Sequence, residues 1–81
     1  MLLVLDVGNS HTVAGLYDGD RLRGHWRIAT TNHRTCDELR LLFMLLLQEQ
    51  GVTTADVRGC AISSVVPQMD RDLALACTEM F

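Results

Sequence analysis

Asp6, followed within six positions by Gly8, Asn9, Ser10 and Thr12, is the group best suited to chemistry in this 81-residue chain. The apolar run Met1 to Leu5 leads straight into the Asp6 carboxylate. A carboxylate is costly to bury, so it is expected to emerge at the strand end, where water or a cation can meet it. Gly8 places no side chain between a ligand and the backbone. Successive amides at Gly8, Asn9 and Ser10 would then face an anion as a nest, with the Ser10 and Thr12 hydroxyls close by. A carboxylate beside such a cradle repels phosphate unless a divalent cation, Mg²⁺ being the natural choice, lies between them. The spacing points to metal-bridged binding of nucleotide phosphates. Spacing alone equally describes a plain hairpin whose turn carries Asp and Asn. His11 lies in the turn itself.

The elements that hold this group can be read from hydrophobic period. Short apolar runs on either side of Gly8-Asn9 predict a β-hairpin, with Gly8 and Asn9 as residues that tolerate positive φ. Asp18-Gly19-Asp20 is a second hairpin signal. Arg21 to Ala29 alternates, with Leu22, Gly24, Trp26 and Ile28 on one face and Arg21, Arg23, His25 and Arg27 on the other. Thr30 to Arg34 is a polar connection. Thr35 with Glu38 three residues later forms a capping-box pattern for a helix from Cys36 to Gln50, closed by Gly51 at the C′ position. Leu39, Leu41, Leu42, Phe43, Met44, Leu45, Leu46 and Leu47 cover nearly every face of that helix, so more than one side of it needs a cover. Val52 to Asp56 reads as a loop. Val57 to Ser63 reads as a buried strand running on through Val66, and Pro67 opens a second helix, with Ser64 or a neighbour as its cap. The order β-β-β-α-β-α predicts a mixed sheet with helices against it.

Composition narrows the class. Net charge is −3, apolar content 48% and charged content 21%, values of an ordinary globular domain rather than a disordered or nucleic-acid-binding chain. Three cysteines, Cys36, Cys60 and Cys77, without CxxC spacing argue against a disulfide framework or zinc site and favour a reducing cytoplasm. The three histidines show no ligand spacing. No run approaches the roughly 18 apolar residues of a membrane span, and the apolar start stops too early for a signal peptide.

These residues carry a resemblance. The loop Asp6 to Thr12 resembles the phosphate-1 motif of the acetate and sugar kinase, Hsp70 and actin superfamily. The chain as a whole is similar to the N-terminal part of the type III pantothenate kinase family, through LLVLDVGNSHT, GLYDGDRL, HWRIAT, HRTCDEL and ISSVVP, in that order from Met1 to Pro67. The resemblance implies a ribonuclease-H-like, actin-like ATPase subdomain over residues 1–81, expected to be truncated before its last strand and helix, with the second domain outside this chain. It implies transfer of the ATP γ-phosphoryl to pantothenate at the start of coenzyme A biosynthesis. Asp6, Val7, Gly8, Asn9, Ser10, His11, Thr12 and Val13 would form the ATP phosphate loop. Asp6 would hold Mg²⁺, through water. Ser63 and Ser64 become candidate cleft contacts, against the plainer reading of a strand end and helix start. The family carries Thr where this chain has Ser10, which keeps the hydroxyl.

The resemblance also implies what lies elsewhere. The family's catalytic base is an Asp in a Gly-x-Asp-Arg motif, and residues 1–81 contain no such motif. A monovalent cation site for K⁺ or NH₄⁺ and the pantothenate pocket are likewise expected beyond Phe81, and this chain alone is expected to be inactive. A cytoplasmic homodimer acting on ATP and pantothenate, with no nucleic-acid or membrane partner, completes the expectation. The alternative is a non-catalytic nucleotide-binding or regulatory module on the same fold.

Overall fold

The computed structural model describes residues 1–31 and 33–81. Asn32, in the polar connection before the first helix, lies outside the described residues. The chain forms β1 (Leu2–Val7), β2 (His11–Asp18), β3 (Arg21–Ala29), α1 (Cys36–Glu49), a 3-10 turn (Thr54–Asp56), β4 (Gly59–Ser64) and α2 (Pro67–Met80). The sheet order is β3-β2-β1-β4, antiparallel between β1, β2 and β3 and parallel between β1 and β4. The expected β-β-β-α-β-α order and mixed sheet are present.

One face of the sheet makes the core. Leu3, Leu5 and Val7 alternate inward along β1 and align with Leu16, Ala14 and Thr12 of β2. Leu39, Phe43, Leu46 and Leu47 of α1 and Met69, Leu73, Ala76 and Cys77 of α2 join them in one buried cluster, so both helices lie on that face. Among the described residues nothing packs on the other face. The outer stripe of α1 is also open: Leu41, Met44 and Leu45 are 61%, 51% and 63% exposed. This agrees with the expectation that the helix needs a second cover.

Local chemistry explains the element ends. At α1 the Thr35 hydroxyl accepts from the Glu38 amide at 3.2 Å, and the Thr35 amide donates to the Glu38 carboxylate at 3.0 Å. These bonds hold the Glu38 carboxyl below its ordinary range. The cap therefore contributes fully above the usual Glu range and fades as pH falls through the lowered value. The helix ends one residue earlier than expected, with Gln50 as its cap. Gly51 donates to the Gln48 carbonyl and Val52 to the Leu47 carbonyl, both at 3.0 Å, which is the Schellman arrangement.

Three other expectations are corrected. β4 spans only Gly59–Ser64 and, as an edge strand, is half-buried to exposed rather than buried: Val57 and Arg58 follow the 3-10 turn, and Val65 and Val66 form a turn before α2. Ser64 does not cap α2; Val66 is the N-cap residue, without a side-chain bond. Leu22 does not share a face with Gly24, Trp26 and Ile28. Leu16 pairs with Gly24 while Tyr17 pairs with Leu22, so Arg23 is an extra residue on β3. That bulge turns Leu22 onto the open face.

The β2–β3 turn depends on Gly19, whose φ of 61° with negative φ at Asp20 has the signs of a II′ turn. Space is open around Gly19, so the cost of a side chain there is conformational. Gly19→Ala is expected to destabilise the protein by about 1–2 kcal/mol, measured by urea denaturation. An unchanged midpoint would show that the turn rearranges freely.

Candidate functional site

Alternation along β1 decides where the carboxylate goes. With Leu3, Leu5 and Val7 inward, Asp6 must point to the open face, where it is exposed. It does not stand after the strand as expected; β1 runs on through Val7, and Asp6 reaches solvent sideways. Its neighbours follow from register. Asp6 lies opposite Ser63 on β4 and Val13 on β2, and Val13 lies opposite Arg27 on β3. Ser63, Asp6, Val13 and Arg27 therefore form one row across the open face. Below it lies a shallow hollow of about 300 Å³ lined by Val4, Asp6, Val13, Gly15, Tyr17, Leu22 and His25.

The turn Gly8-Asn9-Ser10 stands at the carboxyl end of β1, which is also the carboxyl end of the parallel strand β4. Crevices at the carboxyl ends of parallel strands are where α/β sheets bind ligands. No residue of this turn has positive φ, which corrects the expected basis for Gly8 and Asn9. Glycine is favoured at position 8 for a different reason: a Cβ there would lie 3.0 Å from the His11 carbonyl oxygen. The Gly8 amide donates to that same oxygen at 2.9 Å. Two amides of the expected nest, at Asn9 and Ser10, remain without a protein acceptor among the described residues.

The loop residues divide between the two faces of the sheet. Val7 and Thr12 point into the core, and the Thr12 hydroxyl shares a hydrogen bond with Thr30 at 2.9 Å. The Thr30 amide donates to the Ser10 carbonyl at 2.9 Å, so Thr30 braces the turn from the end of β3. Asp6, His11 and Val13 face the open side, while Asn9 and Ser10 are exposed at the tip.

Ser63 and Ser64 separate in the same way. Ser63 is exposed beside Asp6. Ser64 lies on the helix side, where its hydroxyl accepts from the Val66 amide at 3.1 Å and donates to the Val66 carbonyl at 3.3 Å. The Val65 amide donates to the Val7 carbonyl at 3.0 Å, drawing the β4–α2 connection against the end of β1.

A polar hollow of about 310 Å³ opens at this corner, lined by Asn9, Thr30, Thr31, Val66 and Gln68. Thr31 and Gln68 belong to no motif named above; the pairing of β2 with β3 brings Thr30 and Thr31 to Asn9, and the pairing of β1 with β4 brings Gln68.

Among the described residues no three His, Cys, Asp or Glu side chains gather as a metal site. Asp6 makes no ion pair there. A lone exposed carboxylate suits Mg²⁺ that keeps most of its waters and is shared with substrate phosphates, not a metal held by protein alone. The residues present fit Mg²⁺ in that form. Among the described residues no helix is long and apolar enough to cross a membrane.

A family model described as type III pantothenate kinase matches residues 2–81. Proteins named type III pantothenate kinase from Geobacillus kaustophilus (strain HTA426) and Geobacillus thermodenitrificans (strain NG80-2) are each 47% identical over all 81 residues of this chain, which cover 31% of their own length. One of the same name from Brevibacillus brevis is 46% identical over 77 residues, 95% of this chain and 30% of the relative. The chain thus spans less than a third of the length of the curated relatives it matches.

Proposed function

The chain belongs to the type III pantothenate kinase family, and from that premise we propose that it is the ATP-phosphate-binding portion of a kinase. The reaction is transfer of the γ-phosphoryl of ATP to the primary hydroxyl of pantothenate, the entry to coenzyme A. The fold is read as the leading part of a ribonuclease-H-like domain, completed in the whole protein by a further strand and helix and a second domain. The whole protein is read as a cytoplasmic homodimer that also uses K⁺ or NH₄⁺.

One observation carries the reading. An exposed carboxylate, unpaired among the described residues, stands beside a tight turn whose Asn9 and Ser10 amides have no acceptor among those residues, at the carboxyl end of two parallel strands. Phosphoryl transfer depends mainly on positioning and charge neutralisation. Mg²⁺, held by Asp6 through water, would supply charge neutralisation for the ATP phosphates. Asp6 would hold that ion, and the Asn9 and Ser10 amides with the Ser10 hydroxyl would bind phosphate oxygens. His11 and Val13 flank the same face, whereas Val7 and Thr12 act from inside by fixing the turn. Asp6 is not the base, because the family's base belongs to the Gly-x-Asp-Arg motif that residues 1–81 lack.

The test is ATP-dependent formation of phosphopantothenate by the full-length protein. Binding of ATP without any phosphopantothenate would overturn the kinase reading in favour of a non-catalytic module.

The serine pair gives a sharper prediction. Ser63→Ala is expected to raise KM for ATP several-fold without changing the melting temperature. Ser64→Ala leaves KM unaltered and destabilises by about 1 kcal/mol, because the Val66 amide loses its partner. The opposite pattern would assign the ligand contact to Ser64.

A further inference from the structure

We propose that Cys60 and Cys77 form a reversible intramolecular disulfide that pins β4 to α2. Their Sγ atoms lie 3.0 Å apart. Cys60 sits near the start of β4, opposite Leu3, and is half-buried; Cys77 is on the inner stripe of α2 and 8% exposed. A disulfide needs sulfurs about 2.05 Å apart, a closure of roughly 1 Å. Residues 17 positions apart in sequence are thus held face to face across the strand–helix contact. Cys36 stands apart, with its sulfur 3.9 Å from the Glu79 carboxylate.

The pair is chemically unequal. The hydrogen bond between the two sulfurs draws the Cys77 thiol below its usual range, against burial; the same bond, then burial, pushes Cys60 up. Burial and the Glu79 charge push Cys36 up. Thiolate is the reactive form of a cysteine, and the shared hydrogen bond favours that form at Cys77 over Cys60. With a peroxide as oxidant, the Cys77 thiolate attacks one peroxide oxygen and becomes a sulfenic acid, and the other oxygen leaves as hydroxide, which takes up a proton to become water. The Cys60 sulfur then displaces the sulfenic hydroxyl as a second water. Overall, two thiols and one hydrogen peroxide give one disulfide and two waters; sulfur loses two electrons and the peroxide gains them. The bond closes a loop containing the whole β4–α2 connection from Ser63 to Pro67. The inference rests on β4 and α2 alone and stands whether or not the site binds ATP.

Cleavage after Arg34, Arg40, Arg58 and Arg71 leaves the three cysteines in three separate peptides. The full-length protein is treated with hydrogen peroxide, alkylated, digested with trypsin without reduction and mapped by mass. The expected product joins the Cys60 and Cys77 peptides and is two hydrogens lighter than their sum. Dithiothreitol separates them, and the oxidised protein melts at a higher temperature than the reduced one. Cys36→Ser keeps the crosslink, and Cys60→Ser and Cys77→Ser each abolish it. If Cys77→Ser fails to fold, Cys60→Ser decides the matter alone. Sulfinic acid at either sulfur without a crosslink, or oxidation confined to Cys36, would overturn the proposal.

Discussion

Asp6→Asn in the full-length protein is expected to lower kcat/KM for ATP-dependent pantothenate phosphorylation by at least about 100-fold, or about 2.7 kcal/mol of transition-state stabilisation. The carboxamide keeps the shape of the side chain but loses the charge that orients hydrated Mg²⁺. Because Asp6 is exposed and unpaired among the described residues, the fold has nothing to lose by the change. The melting temperature should stay within a degree or two, and the Mg²⁺ concentration for half-maximal rate should rise. Near-normal turnover with an intact fold would remove Asp6 from this role. A loss of rate accompanied by a fall in melting temperature would instead make the carboxylate structural.

Phe43→Ala is expected to be the most damaging change to stability, at about 3–5 kcal/mol, a large part of the 5–15 kcal/mol that typically holds a domain together. Phe43 is 1% exposed at the centre of the α1 stripe, between Leu39 and Leu47, over the inward residues of the sheet. Truncation leaves a cavity that α1, fixed at one end by its capping box and at the other by Gly51, cannot easily close. Leu45, on the opposite face of the same helix, is the contrast: Leu45→Ala is expected to cost a small fraction of that. Urea denaturation of both variants makes the comparison. Equal losses at the two positions would reveal a further element or subunit seated on the outer stripe.

The turns and the helix start were legible because their signals are local. Asp18-Gly19-Asp20, the Thr35–Glu38 box and Gly51 each act within five residues, and period separated strands from helices. The single-residue bulge at Arg23 was not legible, since RLRGHWRIA alternates perfectly as text and only pairing with β2 shows the slip. The φ reading of Gly8-Asn9 failed because glycine can be favoured by crowding as well as by backbone sign. At the site, Asp6 was correctly marked as a carboxylate facing solvent, but its route there depends on which face the helices cover. Ser63 and Ser64 look alike in sequence and divide only once β4 pairs with β1 in parallel. The meeting of Cys60 with Cys77 has the same origin, a long-range contact that no spacing rule encodes.

β1 is flanked on both edges, by β2 on one side and β4 on the other. Its backbone amides are thereby placed among those that exchange with solvent deuterium only when the whole domain opens. The backbone that carries Asp6 is therefore expected to be one of the slowest-opening stretches of the chain. The segments that border it at the carboxyl ends of β1 and β4 are the Gly8–Ser10 tip and the Val65-Val66 corner, both outside the strands. An exchange map of the protein with and without ATP should leave β1 dark in both states and change at those two places.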